Sequence, residues 1–263
     1  MARISVLMGI YNCAPTLAEA LDSLYAQTYQ DFKIILCDDG SKDNTYEIAK
    51  EYADKHDNII LICNDKNMKL AATLNHCLEY ADTEFIARMD GDDLSISNRF
   101  EKQINYLDQH PEIDFVSTPM IYFDDTGEWG RGESILSPQK EDFRRGSAPF
   151  CHAPMMMRTS CIKAIGGYRT DKEVERMEDY DLFARLMIAG FKGRNLDVPL
   201  YRMRNDRAAF SRRRIADRWR SYLTSSKLKK QLGLSFPYLS GIPDLMKCLI
   251  PNNIVYLIKK RSL

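Results

Sequence analysis

The sequence predicts a doubly wound, mostly parallel α/β sheet over its first 95 residues, with a mixed second half and a basic helical tail. Two observations carry this expectation. Short apolar, β-branched runs alternate with segments whose apolar residues recur every three to four positions. Three of the apolar runs also end in polar residues, at Tyr11, Asp39 and Asp90–Asp93. Open parallel sheets place their ligands beyond such strand ends.

Ile4–Ile10 reads as a buried strand that stops at Tyr11-Asn12. Pro15 then opens a helix whose apolar face is Leu17, Ala20, Leu21, Leu24 and Tyr25. Phe32–Cys37 is a second strand, closing at Asp38-Asp39-Gly40-Ser41. Ser41 or Asp43 suits the N-cap of the next helix, with Tyr46, Ile48, Ala49 and Tyr52 inward. Ile59–Cys63 is a third strand, Leu70–Tyr80 a third helix and Phe85–Met89 a fourth strand. Arg99–Leu107 is helical after Asn98, and Phe115–Tyr122 reads as one strand. A glycine-bearing hairpin or irregular excursion spans Asp124–Ser137, and Ala153–Arg158 has no clear period. Gly166-Gly167-Tyr168 is a turn before a charged loop, Thr170–Arg176, and Glu178–Ala189 is a helix. Pro199–Arg204 suits a short strand, and Ile215–Gln231 is a basic helix.

These elements suggest one domain over residues 1–205, with a first half to about 95, whose strand ends face a ligand crevice, and a second half over 96–205. Residues 206–263 form a basic C-terminal helical extension. Formal charge is balanced overall, yet from Tyr201 onward there are 15 Lys+Arg against 3 Asp+Glu. An acidic body and a basic tail that meets an anionic partner follow from that asymmetry. The cluster Arg212–Arg220, the apolar run Ile254–Ile258 and the basic Lys259-Lys260-Arg261 make an anionic membrane surface a candidate partner. Nucleic acid is not expected, because no recognisable module accompanies the charge. Seven cysteines, without a CxxC pair or zinc spacing, read as free thiols. No stretch approaches the ~18 apolar residues of a membrane span, and a cytoplasmic location is expected.

Asp90-Gly91-Asp92-Asp93 places three carboxylates within four positions at a strand end. Such an oxygen-rich set suits Mg²⁺ or Mn²⁺, which keep open positions for substrate phosphates. An acidic surface turn would look similar, but the convergence of three strand ends favours the metal reading. Glu178-Asp179-Tyr180-Asp181 is a second acidic knot. Neighbouring carboxylates in a pocket push one pKa upward, which suits a general base; complementing the helix dipole is the structural alternative. His152 stands apart from any catalytic triad, and no Walker or Rossmann glycine pattern appears.

Taken together, these blocks resemble a family. Ser5–Asn12, Leu21–Tyr29 and Asp38-Asp39-Gly40-Ser41 look like the start of a family 2 glycosyltransferase. Ile86–Asp93 followed by Arg99-Phe100-Glu101-Lys102-Gln103 is similar to that family's DxD region, and Glu178-Asp179-Tyr180-Asp181-Leu182 to its late acidic motif. The resemblance covers roughly residues 3–205 in order. It implies the GT-A fold, a nucleotide-sugar donor with UDP expected, a divalent cation, and inversion at the anomeric carbon. It also implies bacterial surface-polysaccharide synthesis on a glycan or lipid-linked glycan acceptor. By position, Gly9, Tyr11 and Asp39 would line the nucleobase, and Lys69 would approach the nucleotide. Asp90 would meet ribose or metal, and Asp92 the metal. Asp179 would be the base, with Glu178 tuning it or holding the acceptor. Two positions depart from the pattern. His152-Ala153-Pro154 replaces His-Pro-Ser on the acceptor side, and Ser97 stands where proline is usual.

Two other readings compete. A nucleotidyltransferase making the nucleotide sugar would need a basic, glycine-rich first loop, and Gly9–Pro15 contains neither Lys nor Arg. A non-catalytic nucleotide-sugar binder would not need both Asp92 and Asp179.

Overall fold

The computed structural model describes residues 2–204 and 215–242. Its centre is a seven-stranded sheet whose core strands follow from the apolar runs. β1 (Ile4–Ile10), β2 (Phe32–Asp38), β3 (Ile59–Cys63) and β4 (Phe85–Arg88) are parallel, in the order β4-β1-β2-β3. Between them run α1 (Ala14–Tyr25), α2 (Thr45–Lys55) and α3 (Leu70–Glu79). Both faces of β1 are covered: Leu7 joins the core beneath α3, while Val6 and Met8 join the core beneath α1. Burying each of Leu17, Leu21 and Leu24 on α1 contributes about 1.5–3 kcal/mol as an upper bound.

Neither expected residue is the N-cap of α2. Asn44 occupies that place, without a side-chain cap bond of its own. The Ser41 hydroxyl accepts the Asn12 N–H at 3.0 Å. Asp43 accepts the N–H groups of Thr45 at 3.1 Å and Ala14 at 3.2 Å, serving the starts of two helices at once.

The second half extends the sheet. α4 (Arg99–Gln109) leads to β6 (Phe115–Ser117), and β9 (Met156–Arg158) inserts antiparallel between β4 and β6. β10 (Gly193–Asn195) adds a parallel edge to β6. A short helix, α5 (Thr159–Ala164), follows β9, and α6 (Glu178–Ile188) packs Leu182, Phe183 and Leu186 into the core. The run Phe115–Tyr122 is not one strand. It breaks at Thr118-Pro119, where proline offers no N–H to a ladder, and β7 (Met120–Asp124) leaves for another sheet. That four-stranded sheet has the order β5-β11-β7-β8, with β5 (Leu94–Ser95), β8 (Gly127–Arg131) and β11 (Tyr201–Arg204).

The basic helix α7 spans Ile215–Gln231. Its Leu228, with Leu232 and Leu234 beyond it, joins the core shared by Leu7 and Phe183. Arg220 and Lys227 turn to the body: Arg220 meets Glu175 at 3.1 Å, and Lys227 meets Glu173 at 3.0 Å. The segment Arg212–Arg214 and the run Ile254–Arg261 lie outside the described residues.

Candidate active site

The parallel strands deliver the expected residues to one end of the sheet. At the end of β1, Gly9 lies under α3, where a Cβ would come within 3.1 Å of Thr73 Cγ2. Tyr11 beyond it is 44% exposed, its ring open to solvent. Asn12 turns the chain with φ 48° and binds the loop after β2, its Oδ1 accepting the Lys42 N–H at 2.8 Å.

Asp39 is buried, and both of its oxygens are engaged. Oδ1 accepts the Met68 N–H at 2.7 Å and the Asn64 amide at 2.8 Å, while Oδ2 accepts the Lys69 N–H at 3.0 Å. These bonds hold Lys69 at φ 73°, a strained backbone for a residue with a side chain. The lysine side chain is exposed at the start of α3. Each carboxylate oxygen has two acceptor directions, so Oδ2 retains one for a ligand.

At the end of β4 the acidic run is braced from below. The buried Arg88 guanidinium pairs with Asp90 Oδ1. Burial alone would lower the Arg88 pKa, but the Asp90 charge raises it above the usual value. Tyr201 Oη, fully buried, accepts the Asp90 N–H at 3.1 Å. Asp93 is also buried; its Oδ1 accepts the Arg204 N–H at 2.8 Å. Burial, then the charges of Asp90 and Asp92, hold its carboxyl well above the usual range. Asp92 is exposed, and its carbonyl accepts Arg204 Nε at 3.2 Å.

Beneath this loop Arg99 is fully buried. It donates to the Arg88 carbonyl at 2.8 Å, the Met155 carbonyl at 3.3 Å and Gln103 at 3.0 Å, and lies 5.2 Å from the Tyr201 ring centroid. Burial lowers its pKa to about 10, so it remains charged at neutral pH. One guanidinium thus ties β4, β9, α4 and β11 under the acidic run. Arg88, Arg99 and Tyr201 received no role from the sequence. The available signal was an arginine inside the otherwise apolar run Phe85–Met89, where only a paired charge is tolerated.

The late motif opens α6. Asp179 Oδ1 accepts the Tyr180 N–H at 2.7 Å. Burial raises the Glu178 pKa; Asp179 and Asp90 raise it further, and Arg88 opposes them. The start of α6 and the end of β4 are therefore close enough for their charges to act on each other. Asp181 serves the scaffold instead: it is buried between Arg169 at 3.1 Å and Arg185 at 2.7 Å. Arg185 continues to the Gly167 carbonyl at 2.7 Å, fixing the glycine turn.

His152 shares a 2.8 Å hydrogen bond between its Nε2 and Tyr168 Oη. Burial, then the charge of Arg88, hold the imidazole well below its usual pKa, so it is neutral near pH 7. A cleft of about 430 Å³ runs between the start of α3 and the 169–178 loop, lined by Lys69, Leu70, Arg169, Arg176 and Glu178 among others. The structure thus sets Lys69 and Glu178 on one cleft, and places Asp90 and His152 around Arg88.

The residues fit a hard divalent cation. Among the described residues no group of three His, Cys, Asp or Glu surrounds a single point. Asp90 and Asp92 instead offer a sparse carboxylate set that donor phosphates and water would complete, as Mg²⁺ and Mn²⁺ sites require.

The chain is similar to known glycosyltransferases. The family model described as Glycosyl transferase family 2 matches residues 5–166. The chain is 47% identical over 214 residues to the putative glycosyltransferase EpsE of Bacillus subtilis, covering 80% of this chain and 76% of that one. It is 24% identical over 242 residues to WfaP of Escherichia coli, named a UDP-Glc:alpha-D-GlcNAc-diphosphoundecaprenol beta-1,3-glucosyltransferase, covering 89% and 88%. Among solved structures, S. aureus TarS 1-349 in complex with UDP-GlcNAc superposes with TM-score 0.71 at 18% identity, covering 95% of this chain and 72% of that one. The mannosyltransferase PcManGT from Pyrobaculum calidifontis, in complex with GDP-Man and Mn²⁺, gives 0.65 at 16% identity, covering 99% and 80%. At such identities the structural likeness concerns the fold.

Proposed function

Because this chain belongs to glycosyl transferase family 2, and is a glycosyltransferase of the GT-A fold, we propose that it transfers a sugar from a UDP-linked donor to a hydroxyl of a lipid-linked glycan, with inversion. What supports the reading is the nearness of two acidic clusters: Asp90, beyond β4, acts by its charge on Glu178, which opens α6 beside Asp179. Inverting transfer needs one cluster behind the leaving diphosphate and another on the side from which the acceptor attacks.

Gly9 lines the nucleobase pocket by letting α3 close on the end of β1, and Tyr11 supplies an open ring to stack on the base. Asp39 shapes this pocket by holding the 64–69 loop, and its remaining acceptor direction suits the uracil N–H. Lys69 places a cation beside the phosphates. Asp92, with Asp90, would hold Mg²⁺ or Mn²⁺, whose Lewis acidity would stabilise the departing diphosphate. Arg88 keeps Asp90 oriented while the site fills.

Asp179 takes the acceptor proton as the new bond forms, a general-base contribution of about 10²–10⁴-fold. Glu178, with its raised pKa, tunes that base or holds the acceptor. Neutral His152 offers the acceptor side a group that hydrogen-bonds without adding charge. The name of WfaP supports a diphosphate-linked lipid acceptor and a UDP-sugar donor. PcManGT with Mn²⁺ supports the cation. No helix among the described residues is long and apolar enough to cross a membrane, and a peripheral position at the cytoplasmic face of the membrane completes the reading.

A thermal-shift panel of nucleotide sugars, with Mn²⁺ or with chelator, tests the donor and cation assignments. A UDP-sugar at about 100 times its Kd stabilises the native state by about 2.7 kcal/mol. That stabilisation should appear with Mn²⁺ and collapse in EDTA. Stabilisation that persists undiminished in chelator contradicts the cation assignment.

A further inference from the structure

The C-terminal region presents an apolar surface that the proposed chemistry leaves unused. On α7, Trp219 and Leu223 are exposed, spaced four residues apart on one face, with exposed Lys230 continuing the stripe and Lys227 beside it paired with Glu173. The opposite face, through Leu228, is buried in the body, as is Leu232 just beyond the helix. Beyond the helix, Phe236 is 71% exposed, and Tyr238, Leu239 and Ile242 are exposed beside it. The two parts adjoin: Tyr222 Oη donates to the Tyr238 carbonyl at 3.3 Å, and the Trp219 and Tyr222 rings lie 5.6 Å apart.

The loop is held in this exposed state at some cost. Phe236 has φ 51°, a left-handed backbone that a bulky side chain rarely adopts. Arg144 anchors the preceding residue by donating to the Ser235 carbonyl at 2.8 Å. Strain that projects a phenyl ring into water points to a binding role.

We propose that Trp219, Leu223, Phe236, Tyr238, Leu239 and Ile242 form a docking surface for an anionic phospholipid bilayer. This rests on the lipid-linked acceptor reading and says which face of the enzyme meets the acceptor's membrane. Tryptophan and tyrosine beside lysines match the bilayer interface, where amphipathic rings sit at headgroup level and cations meet lipid phosphates. The excess of Lys and Arg after Tyr201 gives the matching charge. A second copy fits less well, since a two-fold contact on this stripe would set lysines against lysines. Position also agrees. Arg220 on the same helix donates to the Lys172 carbonyl at 3.3 Å and pairs with Glu175, and Lys172 and Glu175 line the cleft that Glu178 shares. Docking there brings the crevice rim to the bilayer.

The chain has two tryptophans, so Trp129→Phe leaves Trp219 as the sole reporter. In the full chain carrying that change, Trp219 emission should shift to the blue with phosphatidylglycerol-containing vesicles and be quenched by brominated lipid. Pure phosphatidylcholine should bind less, and salt at about 0.5 M should weaken partition. Adding Phe236→Ser and Leu239→Ser should lower the partition coefficient at least about tenfold. Either unquenched Trp219, or partition unchanged in the serine variant, overturns the surface. So does concentration-dependent self-association that the serine variant abolishes without any vesicle binding. Partition is read without turnover, so a chain that binds vesicles but transfers no sugar overturns the functional reading and leaves this surface standing.

Discussion

A methyl group on Gly91 would stand 2.7 Å from the Cys13 sulfur and 3.1 Å from Ile10 Cγ2. The residue between Asp90 and Asp92 therefore has no room for a side chain. Its backbone is pinned as well, the Gly91 carbonyl accepting the Thr16 hydroxyl at 2.8 Å. The spacing of the two carboxylates is thus set by contact with the start of α1.

Gly91→Ala should destabilise the protein by about 1–3 kcal/mol through overpacking and weaken Mn²⁺-dependent donor binding. Cys13→Ala removes the nearer obstacle, so the double variant should recover much of both losses. Thermal unfolding with and without donor checks this. A double variant no better than Gly91→Ala alone would show that the sulfur is not what excludes the methyl.

Asp179→Asn should lower kcat by about 10²–10⁴-fold and leave donor affinity within about twofold, because a base acts only as the bond forms. Steady-state kinetics with donor titration separates the two quantities. Near-normal kcat would move the base to Glu178.

Glu178→Gln should stabilise the protein near neutral pH. Burial raises the Glu178 pKa in the folded state, while the unfolded chain titrates at about 4.3. Between those values the folded state keeps a proton that the unfolded state has released. Stability is therefore fully present below the unfolded pKa and is lost as pH rises through the folded one. Glutamine cannot ionise, so its advantage should grow from about pH 4 to pH 7. Melting curves at both pH values report it, and a variant less stable than the parent at neutral pH would contradict the burial argument.

Much of this fold was legible because its parallel strands are continuous apolar runs and its helices carry a 3.6-residue stripe. Ile4–Ile10, Ile59–Cys63 and the helix Ile215–Gln231 have the expected bounds. Met156–Arg158 was not legible. It is buried between β4 and β6, so it shows no alternation, and its antiparallel insertion is a long-range event. The second sheet was hidden for a related reason: β5 has two residues, and Tyr201 finds Ser95 only through tertiary closure. At the site, the carboxylates declared themselves by clustering. Their supports did not, since Tyr201 lies 111 residues from the Asp90 N–H it accepts. Arg220, the last residue of the Arg212–Arg220 cluster, pairs with Glu175, while Trp219 and Leu223 on the same helix are exposed.

The most direct test of the central claim is the anomeric configuration of the transferred sugar, read from the ¹H NMR coupling of the product. The assay uses an α-linked UDP-sugar, a diphosphate-lipid glycan acceptor and Mn²⁺. The proposed roles of Asp90–Asp92 behind the leaving diphosphate and Asp179 on the acceptor side predict a β-linked product, and Asp179→Asn should form almost none. An α-linked product, or β-linked product formed undiminished by Asp179→Asn, would contradict the account.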